Sequence, residues 1–214
     1  MPRKTVIAID GPAGAGKSTV ARLVAARLGI KILDTGAMYR CVALRAVRDA
    51  ATDGAVVARI AEAVTIEFRP GDPQTVLLDG EDVTAAIRTL EVGQRASEVA
   101  VVPAVRRAMV KRQRELIEQG GCVLEGRDVT TVVAPDAKVK VFLTASIEER
   151  ARRRWLEIKD RTLQEVVKDV VERDYRDYTR EDSPLTLAED AVIIETFALT
   201  PEQVADKIVA LAGK

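Results

Sequence analysis

Residues 5–29, "TVIAIDGPAGAGKSTVARLVAARLG", constrain the fold of this chain more than any other stretch. Thr5 to Asp10 is a short apolar run rich in β-branched residues. A glycine-rich turn follows, then apolar positions at helical spacing from Ser18 to Leu28, closed by Gly29 as a C-cap. The order is strand, loop, helix, and Gly11 to Ser18 matches G-x-x-x-x-G-K-[ST] at the junction. That is a cradle for a phosphate chain. Its glycines let backbone N–H groups turn inward, the helix N-terminus adds a positive dipole end, Lys17 bridges the outer phosphates, and the Ser18 hydroxyl is a Mg²⁺ ligand. Motors, switches and kinases all use such a cradle, so the rest of the chain must choose among them.

Further short apolar segments at Lys31–Leu33, Cys122–Leu124, Val139–Thr144 and Ala191–Glu195 read as buried strands of a parallel sheet. Asp34–Ala51 reads as a loop entering a helix, and Pro103 opens a helix that ends at Gly120 and Gly121. Capping boxes mark three more helix starts: Ser146 with Glu149, Thr162 with Glu165, and Thr200 with Gln203, the last with Pro201 at its first position. Alternation of this kind implies right-handed crossovers and an α/β, doubly wound parallel sheet of about five strands. Residues 52–91 break the pattern. Val64–Phe68 and Thr75–Leu78 look like strands, and "LLDGEDV" carries an Asp-Gly hairpin turn, so this segment reads as a small insertion on one main domain.

Composition narrows the chemistry. The 33 basic and 33 acidic residues balance, which gives no field to attract nucleic acid or an anionic membrane. No apolar stretch reaches the ~20 residues that span a bilayer. Cys41 and Cys122 are the only cysteines, and no leader pattern precedes them, so a cytoplasmic location is expected. The chain has no His, which removes imidazole bases and His metal sites, and no Asn, which removes the Asn-Lys-x-Asp guanine site of a GTPase.

Transfer of a phosphoryl group to another phosphate needs no strong base, because the attacking oxygen is already ionised. It needs Mg²⁺, a lysine and several arginines to hold two mutually repelling anions. "LDTGAMYR" places Thr35 and Arg40 at the carboxyl edge of the second strand, and "EGRD" brings Arg127 and Asp128 to the same edge. "ERDYRDYTR" sets Arg173, Arg176 and Arg180 on one helical face, next to Asp177. Arg106 joins the set, and planar guanidiniums suit phosphates.

Taken together, "IDGPAGAGKST", "LDTGAMYR", "ASEVA" with "VRRAMVKRQR", "EGRDVTTVVAPDAKVKVFLTAS" and "ERDYRDYTR" resemble bacterial cytidylate kinases over nearly the whole chain. The resemblance implies a P-loop nucleoside monophosphate kinase of one domain, 1–214, with a core (1–51, 92–149, 181–214), an NMP-binding insertion (52–91) and a short lid (150–180). It implies transfer of the ATP γ-phosphoryl to CMP or dCMP with Mg²⁺, by a monomer that binds no nucleic acid and no membrane. Gly11, Pro12, Ala13, Gly14, Ala15, Gly16, Lys17, Ser18 and Thr19 would hold ATP, flanked by Arg150 and Arg154 as the lid closes. Thr35, Arg40, Arg127 and Arg180 would bind the CMP phosphate. Ser97, Arg106 and Asp128 would read the cytosine edge, and Arg173 and Asp177 the sugar hydroxyls. Lys17, Arg127, Asp128 and Arg180 would be catalytic. Two departures stand out: the segment from Arg154 to Glu172 is a few residues shorter than the family lid, and Glu195 stands where Asp is usual. A kinase for another acceptor such as shikimate, and a nucleotide-dependent switch, are the competing readings. Gly36, where a hydroxyl-phosphorylating enzyme would carry a second Asp, argues against the former.

Overall fold

A computed structural model describes residues 5–71, 74–158 and 161–213. These residues form two compact units, one from Met1–Leu33 with Leu116–Lys214, the other from Asp34–Glu115.

The first unit is built on a five-stranded sheet. Strands β1 (Val6–Asp10), β2 (Lys31–Asp34), β6 (Cys122–Glu125), β7 (Val139–Thr144) and β8 (Val192–Glu195) lie in the order β2-β6-β1-β7-β8. β1 pairs in parallel with β6 (Ile9 opposite Glu125) and with β7 (Asp10 opposite Phe142), and β7 pairs in parallel with β8. The α/β doubly wound reading holds, and four of the five expected strands gain or lose one residue at an end. Helix α1 (Lys17–Leu28) packs its Val20, Ala21, Val24 and Ala25 against Ile7, Ile9, Val123, Val141 and Leu143 of the sheet. Helix α8 (Pro201–Ala212) adds Val204, Ala205 and Ile208 to the same core. Each of these Ile, Val and Leu side chains stabilises the fold by about 1.5–3 kcal/mol on leaving water.

Between β7 and β8 run helices α6 (Ile147–Glu157) and α7 (Leu163–Thr179). The Thr162 box is complete, with Glu165 N–H donating to Thr162 Oγ1 and Thr162 N–H donating to the Glu165 carboxylate. So is the Thr200 box of α8. The Ser146 box forms only in half. Ser146 Oγ accepts from Glu149 N, but the Glu149 carboxylate is taken by Arg152 and Arg153 (3.2 and 2.8 Å).

In the second unit, α2 (Thr35–Arg48) is the helix expected within 34–51, and it begins directly at the end of β2 without the entering loop. Asp34 is its N-cap, accepting from Ala37 N–H at 2.8 Å, and Thr35 is the first helical residue. Helix α3 (Gly54–Ala63) occupies the start of the segment read as an insertion, before the expected strands; Asp53 caps it through Ala55 and Val56. Strands β3 (Ile66–Arg69), β4 (Thr75–Leu78) and β5 (Glu81–Asp82) then form a small antiparallel sheet. The turn from β4 to β5 is Asp79-Gly80, with φ of 51° and 86°, the two positive values of a type I′ hairpin. Helices α4 (Leu90–Val99) and α5 (Pro103–Glu118) complete the order. α5 gives the second unit a tie from Arg112, which donates to the carbonyls of Val64 and Glu62.

Candidate active site

The cradle follows β1. Gly11 has φ 148°, and a Cβ there would lie 2.1 Å from the Leu143 carbonyl oxygen; at Gly14 (φ 77°) it would lie 2.7 Å from that of Arg150. Only glycine fits this close passage over β7 and α6. α1 then starts at Lys17 behind a left-handed Gly16 with no side-chain cap, so the first-turn N–H groups face outward as anion donors. Lys17 is 6% exposed, and its ammonium donates to Gly11 O and Pro12 O at 2.7 Å each. Burial, then the charges of Arg127 and Arg173, hold its pKa well below the usual value, against the pull of Glu125 and Asp10. The Ser18 hydroxyl donates to Glu125 Oε2 at 2.9 Å. Hydroxyl and carboxylate oxygens together fit a small hard cation such as Mg²⁺.

Beside the end of β6 sits a buried ionic cluster. Arg127 Nε donates to Asp177 Oδ2 at 2.7 Å. Arg180 lies 3.6 Å from both Asp128 and Asp177, with its side chain 3% exposed. Burial alone would push the Asp177 carboxyl up, but Arg127, Arg173 and Arg180 outweigh it and hold its pKa below the usual range. Burial likewise opposes charge on Arg127, and Asp177, Asp174 and Glu125 together overcome it and raise its pKa.

Two local devices keep these groups in place. Asp10, fully buried at the end of β1, accepts from Val129 N, Thr130 N and Thr130 Oγ1 at 3.0, 2.7 and 2.6 Å, and so anchors the turn just after Asp128. Burial outweighs those three hydrogen bonds and raises the Asp10 pKa. After α7, Leu185 N donates to Asp177 O and Arg180 Nε to Ser183 O, both at 2.7 Å, with Ser183 in the left-handed region. The face expected to join Arg173, Arg176 and Arg180 is therefore corrected. Arg180 is the C-cap rather than a helical residue, and Arg176 donates to the exposed backbone of Glu172; Arg173, Asp177 and Arg180 are the members that meet.

In the second unit, Thr35 is buried at the first turn of α2. Arg40 donates to Ile87 O at 2.7 Å, and its guanidinium lies where a Cβ on Gly93 would come within 3.2 Å, so Gly93 leaves it room. Arg106, 1% exposed, lies 5.4 Å from the Tyr39 ring centroid and donates to Ala100 O. The Ser97 hydroxyl is buried with no hydrogen-bond partner among the described residues.

Arg150, expected beside ATP on a helix face, is 4% exposed and spent on protein atoms: Ala145 O at 3.0 Å, Ala13 O at 2.9 Å and Asp174 at 2.5 Å. Arg154 is half-buried on the same helix. Its neighbour Arg153 reaches Thr196 Oγ1 and O at 2.8 and 2.9 Å, and its Nη1 lies 4.0 Å from where a Cβ on Gly16 would sit. Glu125, Asp10, Asp174 and Arg153 were not singled out from sequence. The first two had a signal, an acid closing an apolar strand; the others had none beyond a charge on a helix.

A glycine cradle between a buried parallel strand and an uncapped helix, in a sheet of this strand order, defines a P-loop nucleotide-binding protein. Solved structures agree on the fold. A protein of Eubacterium ventriosum described as uncharacterized superposes with a TM-score of 0.55 at 12% identity, over 98% of both chains. A gluconokinase from Sinorhizobium meliloti does so with a TM-score of 0.51 at 12% identity, over 100% of this chain and 94% of that one. More narrowly, the chain belongs to the cytidylate kinase family, whose sequence model matches residues 7–214. The cytidylate kinase of Limosilactobacillus fermentum is 50% identical over 210 residues, 94% of this chain and 92% of that one. That of Desulforamulus reducens is 48% identical over 220 residues, covering 100% and 99%. The protein is thus a kinase, and no helix among its described residues is long and apolar enough to cross a membrane.

Proposed function

We propose that this kinase transfers the γ-phosphoryl group of ATP to the phosphate of CMP or dCMP, giving ADP and CDP or dCDP. The observation that carries this reading is the buried cluster of Arg127, Arg173 and Arg180 around Asp177, within the same electrostatic field as the cradle lysine. Such a cluster suits a second phosphate held next to the first, and a phosphate acceptor requires no general base in a chain without His.

The cradle amides and Lys17 hold the outer ATP phosphates, and Lys17 leaves its carbonyl partners to do so. Ser18 and Glu125 would supply protein oxygens to hold the Mg²⁺ bound with ATP, which would neutralise charge on the phosphates. Arg127 and Arg180, with Thr35 and Arg40, bind the acceptor phosphate and draw charge from the transferred group. Asp177 sets the tilt of the Arg127 guanidinium through its Nε, and with Arg173 meets the sugar hydroxyls. Cytosine offers an N4 donor to Asp128 and acceptors to Arg106 and Ser97, whose buried unpartnered hydroxyl suits that role. Segment 52–91 serves as the NMP-binding insertion and 150–180 as a lid that excludes water; Lys159 and Asp160 of that lid lie outside the described residues. The enzyme works as a cytoplasmic monomer.

The test is ADP production from ATP and Mg²⁺ with CMP, dCMP, UMP, AMP, GMP and shikimate offered separately. Rapid turnover with CMP and dCMP alone, weak with UMP, is expected. Turnover with shikimate, or ADP release that no acceptor accelerates, overturns it in favour of another kinase or a switch. Lys17→Ala is expected to lose most activity while its circular dichroism spectrum is unchanged, and an active variant refutes the role of Lys17.

A further inference from the structure

Ala13 sits at the crest of the cradle with both of its backbone polar groups bonded to side chains from the helices behind it. Its N–H donates to Asp174 Oδ1 of α7 at 3.1 Å, and its C=O accepts from Arg150 Nη1 of α6 at 2.9 Å. The two side chains are joined at 2.5 Å, and Arg150 is fixed at its other end by Nε donating to Ala145 O. They are 4% and 8% exposed. A buried, mutually neutralised acid and base closing on one residue's peptide groups is a rigid device, because an error in its geometry leaves a desolvated charge unpaired.

From this we infer that Arg150 and Asp174 are positioning residues, which lock the Ala13 peptide and thereby set the curvature of the phosphate cradle. The inference rests on the reading that the cradle holds ATP. Two consequences follow from the geometry. The Ala13 N–H is occupied by Asp174, so Ala13 contributes shape to the cradle and its neighbours supply the phosphate donors. α6 and α7 make up most of segment 150–180, so the clamp ties the cradle to the helices of the proposed lid.

The experiment combines kinetics with amide exchange on the whole chain. In Asp174→Ala, the KM for ATP is expected to rise about tenfold or more, as displaced reacting groups cost in general, with the KM for CMP rising several-fold less, because Asp174 reaches Arg127 only through its charge. Asp174→Asn keeps an acceptor for the Ala13 N–H and is expected to recover most of that loss. Hydrogen exchange followed by NMR is expected to show the Ala13 amide protected in the parent protein and fast in Asp174→Ala. If Asp174→Ala fails to fold, Arg150→Lys, which loses the Nη1 contact to Ala13 O, carries the same comparison, with Asp174→Asn again the conservative control. An unprotected Ala13 amide in the parent protein, or KM values for ATP and CMP that rise together in a folded variant, overturns the inference. Failure of the parent protein to bind a fluorescent ATP analogue with Mg²⁺ would instead overturn the ATP reading, while the exchange result would still report on the clamp.

Discussion

Replacing Asp177 by Asn tests the ionic cluster most directly. The isosteric amide keeps the volume and one acceptor but removes the charge that faces Arg127 at 2.7 Å and Arg180 at 3.6 Å. Breaking a buried pair by removing one partner costs about 3–5 kcal/mol, because the remaining charge stays desolvated. The side chains of Arg127 and Asp177 are 16% and 8% exposed, so some water reaches the arginine and the lower end, about 3 kcal/mol, applies. For a domain of this size that is a fall in Tm of about 6–12 °C. The sign of the pH dependence follows from the depressed pKa of Asp177. Its stabilising share is present above its unfolded value near 3.8 and is lost as pH falls through the lower folded value. The gap between parent and variant is therefore constant from pH 5 to 8 and closes only in acid. Thermal unfolding by circular dichroism across that range measures it. The same melts with added sulfate should stabilise the variant more than the parent, since an anion replaces the missing carboxylate among three guanidiniums. A loss below about 1 kcal/mol at pH 7, or equal gains from sulfate, would refute the argument that Asp177 is what holds these arginines together.

Gly11→Ala places a methyl 2.1 Å from a backbone carbonyl, so it is expected to cost several kcal/mol and abolish ATP binding. Gly80→Ala, at φ 86° with open space around it, should cost only about 1 kcal/mol and leave turnover unchanged; denaturant melts with ADP assays compare the two. Asp10→Asn loses hydrogen bonds but sheds a buried charge, so stability should change by about 1 kcal/mol or less. Its effect should appear as a several-fold rise in the KM for CMP, larger than that for ATP, because the turn it anchors follows directly on Arg127 and Asp128. Burial pushes the Cys41 and Cys122 thiols up to about 12 and about 11, so neither should react with a disulfide reagent at pH 8 until the protein is unfolded, when both should be counted by absorbance.

Much of the fold was legible because its signals act over a few residues. The cradle needs glycine at set intervals, the Thr162 and Thr200 boxes close between i and i+3, and the Asp79-Gly80 turn needs two positive φ values in succession. α3 was equally local, with Asp53 as its cap, but its valines and isoleucine weaken a helical signal, and the sequence reading named no element there.

The family, too, was readable, since the motifs that carry it are short and ordered along the chain. What sequence spacing did not decide is which charges meet. Arg150 has the same local context as its exposed neighbour Arg152, yet it is buried because α7 returns 24 residues later with Asp174 opposite it. Arg127 finds Asp177 across 50 residues, and Ser18 finds Glu125 across 107. A side chain's periodicity states which side of its helix it occupies; only the packing of distant elements states whether that side faces water, a backbone carbonyl or an opposite charge. The sequence by itself therefore determined the cradle and the kind of enzyme, and the tertiary structure alone decided which charged side chains are buried against one another, because desolvated ion pairs form only where the whole chain brings their partners together.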